Sequence, residues 1–143
     1  NRISDGTATK KDILKLVNKM QKSMSAIKKL EKKNSLQMKK RFQRYKKELD
    51  IKGKDLNMTE IFATLGKSDI NEEVVRFDSH LGLVANLIKS KNNIGKKLDF
   101  YTQEMLREAN TMSSKALISE IKNEAVDIKS SIERMKEHAQ NIE

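Results

Sequence analysis

Between residues 11 and 51, apolar side chains recur in alternating steps of four and three, at Ile13, Val17, Met20, Met24 and Ile27. That spacing is the seam of a long amphipathic helix that needs a partner to cover it. A second set, Met38, Phe42, Tyr45 and Leu49, repeats the spacing, but Glu31 and Asn34 put polar groups on the seam between the two sets and the phase slips by a residue. The slip predicts a stutter, a bend or a break near residues 32–35. Gly53 is the first clear punctuation and suits a helix terminus. A short helix is expected over 58–65, stopped by Gly66. Asp69 then caps a helix over 70–90, whose seam Ile70, Val74, Phe77, Leu81, Val84 and Ile88 keeps the four-three pattern without error. After the loop KNNIG a further helix is expected over 96–112. Ser113 or Ser114 would cap a last one, with a seam at Ile118, Ile121, Ala125, Ile128, Ile132, Met135, Ala139 and Ile142.

No strand pattern competes with these helices, and the chain has no proline and only five glycines. The fold class is therefore all-α: a long N-terminal helical arm, 1–52, followed by a bundle of one short and three longer helices, 53–143. Apolar content of 36% with 35% charged residues suits helices that bury a narrow stripe, part of it between subunits.

Charge changes the picture next. The formal net charge is +10, and residues 10–54 carry 17 Lys or Arg against four acidic residues, which leaves the remainder slightly acidic. The first half thus has a surface suited to phosphate backbones or acidic membranes, although a lysine-rich helix face is equally well a solvated one. The absence of cysteine removes disulfides and thiolate metal sites and points to an intracellular protein. No apolar run approaches the roughly 20 residues of a membrane-spanning helix, and no signal-peptide pattern opens the chain, so a cytoplasmic location without membrane contact is expected. A start at Asn1 rather than methionine suggests a fragment or a processed product.

Candidate chemistry concentrates in residues 95–114, GKKLDFYTQEMLREANTMSS. At about 100° per residue, Leu98, Tyr101, Met105, Ala109 and Met112 form a core stripe. Lys97, Glu104, Arg107, Glu108 and Thr111 lie beside it, and Asp99, Gln103 and Asn110 lie roughly opposite. Glu104 and Glu108, at i and i+4, can share a divalent metal through oxygen ligands or remain solvated and ion-paired. Arg107 can pair with Glu104 or hold a phosphate by two hydrogen bonds. On the preceding helix His80 sits one residue before seam residue Leu81, with Arg76 one turn earlier on the same face; such a histidine is a general acid or base, a metal ligand, or a packing residue. Gly-rich phosphate loops, nucleophile elbows and zinc spacings are missing.

These residues resemble the C-terminal region of the YicC-like endoribonucleases, a bacterial family. Asp69, Ile70, Glu72, Glu73, Arg76 and His80 match its D-[IV]-x-E-E-[LV]-x-R-x-x-x-H segment. Gly95 to Phe100, Gln103 to Met105, Arg107, Glu108, Asn110, Thr111, Ser114 and Lys115 match its G-[KR]-[KR]-L-D-F, Q-E-[MF]-x-R-E-x-N-T and S-K elements, and the last four residues match its Q-N-I-E ending. Agreement is specific after Asp69 and loose before Ile51, where Arg41, Arg44, Tyr45 and Leu49 follow an R-x-x-L-rich stretch. Tyr101, Thr102 and Ala116 depart from the usual residues without touching a charged motif position. Family members are about twice this length, so the chain looks like a C-terminal half without the N-terminal α+β region.

The resemblance implies a metal-dependent endoribonuclease that works as a homo-oligomer, a hexamer, enclosing RNA in a basic interior. In that reading a Mg or Mn ion is held by Glu104 and Glu108, with His80 or Asp99 in support, and polarises the phosphate or the attacking water. Arg76, Lys96, Lys97, Arg107 and Lys115 hold the RNA backbone, and Gln103 and Asn110 touch the ribose or a base edge, or orient the carboxylates. The alternative is a non-catalytic RNA-binding or adaptor protein in which Glu104, Arg107 and Glu108 form an ion-pair network at the oligomer interface.

Overall fold

A computed structural model of the chain describes residues 2–51, 69–90 and 94–141, with side chains from residue 10 onward in the first segment and up to residue 50. The described residues are all-α and contain four helices: α1 (Arg2–Ile51), α2 (Asn71–Ile88), α3 (Gly95–Lys115) and α4 (Ser119–Gln140). The expected short helix at 58–65, with Gly53 and Gly66, lies outside them.

The helices form an up-down-up-down bundle in which α1 packs on α2 and α4, and α3 packs on α2 and α4. Directions follow from side-chain bridges. Lys10 Nζ donates to Ser90 O (3.0 Å) near the start of α1 and the end of α2, and Lys28 pairs with Asp78 further along, so the two run antiparallel. Lys33 pairs with Glu120 at the start of α4. The core is the set of seams read from the sequence. Ile13, Val17, Met20, Met24 and Ile27 of α1 are at most 1% exposed, and they meet Val74, Phe77, Leu81 and Val84 of α2, Leu98, Met105 and Met112 of α3, and Ile121, Ile128, Ile132 and Met135 of α4. Full burial of each large aliphatic side chain contributes about 1.5–3 kcal/mol.

Helix α1 is continuous through 32–35, so the slipped phase does not break it. Asn34 explains why a polar residue is tolerated there. It is 2% exposed, and its Oδ1 accepts a hydrogen bond from Leu117 N (2.8 Å) in the connection between α3 and α4. Asn34→Ala would leave that N–H without its acceptor, a loss expected to cost about 1–3 kcal/mol in urea unfolding at 25 °C. Past this point the second seam has little cover: Met38, Phe42 and Leu49 are half-buried, and Leu36 and Tyr45 are exposed.

At the start of α2 the N-cap position is Ile70, without a side-chain cap, rather than the expected Asp69; one residue outside it Asp69 Oδ1 accepts from Asn71 N (2.9 Å), and Glu72 and Glu73 place negative charge against the helix N-terminus. The start of α4 differs. Ser113 and Ser114 belong to α3, Ser114 Oγ donating to Thr111 O (3.1 Å), and the chain turns instead through extended backbone at Ala116 and Ile118. Both of those side chains are buried, and Lys122 Nζ donates back to Ser113 O (2.7 Å). Hydrophobic burial of Ala116 and Ile118 thus sets the start of α4 without a hydroxyl cap, and the Lys122 amine satisfies a carbonyl at the C-terminal end of α3.

Candidate active site on the α2–α3 seam

The facing sides of α2 and α3 carry a line of polar groups within an otherwise apolar contact. On α2 they are Glu73, Arg76 and His80, at i, i+3 and i+7; on α3 they are Glu104, Glu108 and Lys115. Because the helices are antiparallel, Lys115 meets Glu73 at one end and Glu108 meets His80 in the middle.

Lys115 Nζ donates to Glu73 Oε1 (2.7 Å) and to Asp69 O (3.3 Å), so this cation is held within the bundle. Glu73 had no functional role in the sequence reading, although its seven-residue spacing from His80 places both on one face. Its side chain is 7% exposed, and its second oxygen is buried without a partner.

In the central pair His80 Nδ1 lies 3.7 Å from Glu108 Oε2, too far for a hydrogen bond, with the side chains 21% and 6% exposed. Both of these atoms are buried and unpartnered, whereas the other ring nitrogen, His80 Nε2, is not among the buried unpartnered atoms. Burial pushes the Glu108 carboxyl above the ordinary carboxylate range, and the charge of Glu104 adds to this; His80, Arg76 and Arg107 oppose it. The half-buried Tyr101 ring stands beside the imidazole, with centroids 6.2 Å apart, and touches the exposed Phe100 ring edge-on at 5.8 Å.

The rise of the Glu108 pKa has a consequence for stability. A native-state pKa above the unfolded value means that the native protein keeps this proton longer. Its contribution is fully present below the unfolded value of 4.5 and is lost as pH rises through the raised native value. Glu108→Gln cannot ionise, so its stability relative to wild type should improve between about pH 4 and about pH 7. Urea midpoints of both proteins at the two pH values check this, and an unchanging difference would contradict it.

Other residues expected at the site are placed as follows. Glu104 is half-buried on the same side of α3 as Glu108, and Arg76 and Arg107 are exposed close enough to act on Glu108 electrostatically, with Arg76 also paired to Glu72. Lys96, Lys97, Gln103 and Asn110 are exposed on α3. Asp99 is apart from the His80–Glu108 pair: it accepts from Gln103 Nε2 (3.1 Å) and lines an open hollow with Gly95, Lys96, Ala139 and Gln140. Among the described residues no group of three or more His, Cys, Asp or Glu converges as a metal centre, so Glu104 and Glu108 are at most part of one. No described helix is long and apolar enough to cross a membrane.

Comparison with known sequences places this seam in context. The family described as "Endoribonuclease YicC-like, C-terminal" matches residues 12–143, which takes in all of α2, α3 and α4 and most of α1. The chain belongs to this YicC-like family. Two curated relatives carry the name "Probable endoribonuclease YicC". One, from Clostridioides difficile (strain 630), is 49% identical over 77 residues, covering 54% of this chain and 26% of the relative. The other, from Haemophilus influenzae (strain ATCC 51907 / DSM 11121 / KW20 / Rd), is 41% identical over 75 residues, covering 52% of this chain and 26% of the relative. The matches thus span about a quarter of each relative's length.

Proposed function

We propose that this chain is the site-bearing C-terminal part of an endoribonuclease that hydrolyses RNA phosphodiester bonds and works as a homo-oligomer enclosing its substrate. The observation that carries the reading is the His80–Glu108 pair: two titratable groups buried against each other in a helix seam, each with an unsatisfied atom facing the other. Such atoms are costly to keep in a fold and are common where proton transfer is needed. The names of the relatives point to the same chemistry.

The proposed roles follow from burial. Glu108 is the more enclosed of the two and faces Nδ1. Closing the 3.7 Å gap by a few tenths of an ångström lets its carboxylate accept Nδ1–H and fix the tautomer that leaves the lone pair on Nε2. His80 Nε2 then takes the proton of the attacking water, and Glu108 is its positioning residue. Arg76 and Arg107, exposed beside the pair, draw the phosphate over the imidazole and stabilise charge on its oxygens.

Metal dependence is part of the proposal, as is cleavage in the cytoplasm. A bound Mg or Mn ion would supply Lewis-acid polarisation of the phosphate. Glu104 and Glu108 offer oxygen donors on one side of α3, but without a third protein donor beside them no step is derived through the ion. Incubating the full-length protein with end-labelled RNA, with and without EDTA, tests both parts. Fragments that vanish with EDTA support a metal-dependent nuclease, and fragments that persist keep the nuclease and remove the ion. Intact RNA under all conditions favours the adaptor reading. That reading is weakened by Glu108, whose burial is already supplied by its own chain and needs no neighbouring subunit.

A further inference from the structure

Phe100 has no part in the chemistry above, yet it is one of only four phenylalanines in the chain and is 58% exposed in the second turn of α3. Its exposure leaves a flat apolar face open to a binding partner. Along its row on α3 it has a cation on each side, with the half-buried Glu104 one turn after it and Asp99 adjacent. Lys96 stands one turn before it and Arg107 two turns after, both exposed. Inward, the Phe100 ring meets Tyr101 edge-on, and Tyr101 lies beside His80, so a row of three rings runs from solvent to the proposed general base.

We propose that Phe100 is a stacking platform for one unpaired RNA base next to the scissile phosphate, with Lys96 and Arg107 holding the phosphates on either side. An exposed ring flanked by cations at helical spacing fits a polyanion whose bases present flat apolar faces. A protein partner would find the same ring set among charges that its own surface would have to neutralise. Stacking on Phe100 fixes the strand over α3, and Tyr101 keeps the platform at a set distance from His80. The inference rests on the ribonuclease reading for the meaning of "scissile" but not for the contact itself.

The test uses full-length protein and a fluorescein-labelled oligouridylate, with EDTA present to prevent turnover. Phe100→Ala is expected to weaken binding about tenfold, the effect of removing one base–aromatic stack, while Phe100→Trp retains it. Fluorescence of the introduced indole, taken against wild type, should be quenched as the oligonucleotide is added. Unchanged affinity in Phe100→Ala, or an indole blind to RNA, would overturn the proposal. A change in oligomer mass by light scattering, without a change in RNA affinity, would also overturn it and assign the ring to a subunit interface. Failure of the nuclease reading has a separate signature: wild type binds the oligonucleotide with the Phe100-dependent affinity in EDTA but leaves it intact when EDTA is omitted and Mg or Mn is supplied.

Discussion

His80→Ala in the full-length protein is expected to lower RNA cleavage by about a hundredfold or more, the usual contribution of a positioned general base. The loss should appear in kcat, with RNA affinity nearly unchanged, because the phosphate is held by Arg76 and Arg107 rather than by the imidazole. Glu108→Gln tests the orienting role separately. An amide keeps the shape of the carboxylate but cannot act as its charged acceptor for Nδ1–H, so cleavage should again fall through kcat while the melting temperature at neutral pH holds or rises. A purely structural carboxylate behaves the other way, with stability falling and single-turnover cleavage intact. Single-turnover assays beside thermal melts separate the two cases.

The second large effect concerns folding. Phe77→Ala should destabilise the chain by about 3–5 kcal/mol in equilibrium urea unfolding. Phe77 is fully buried and is among the largest side chains in a core poor in aromatics. The cavity left by its removal would lie on α2, among side chains that already pack tightly and can relax only in part. Three residues away, His80 depends on α2 for its position, so the same variant should also reduce cleavage. Phe77→Leu keeps most of the volume and is expected to recover most of the stability.

The seams were readable in the sequence because burial in this bundle follows helical periodicity. Ile13 to Ile27 in α1 and Ile121 to Ala139 in α4 are buried where the four-three spacing places them. Periodicity fails where a polar group is buried for a reason located elsewhere in the chain. Asn34 marks a slipped phase in its own helix, but its partner is a backbone N–H 83 residues away. The turn at 116–118 is hidden for a related reason, since buried Ala116 and Ile118 and the distant Asn34 set it and no side chain caps the start of α4.

At the site, rotation along α3 placed Glu108 beside the core stripe and Asp99 roughly opposite that stripe. It could not say that α2 would cover the first and that the C-terminal end of α4 would flank the second. Glu73 was hidden by its ordinary appearance as a first-turn acid of α2, a position that helix electrostatics alone would account for. Its partner Lys115 was readable as a phosphate-binding cation until tertiary packing brought the two together.

The unbroken course of α1 makes it a lever. From Asn34, its deepest polar contact with the bundle, to Ile51 the helix continues for about 25 Å at 1.5 Å per residue. A tilt of about 10° at the bundle therefore carries its far end through roughly 4 Å. Small readjustments beneath Asn34 would be magnified at a tip bearing Arg41, Arg44, Lys46 and Lys47.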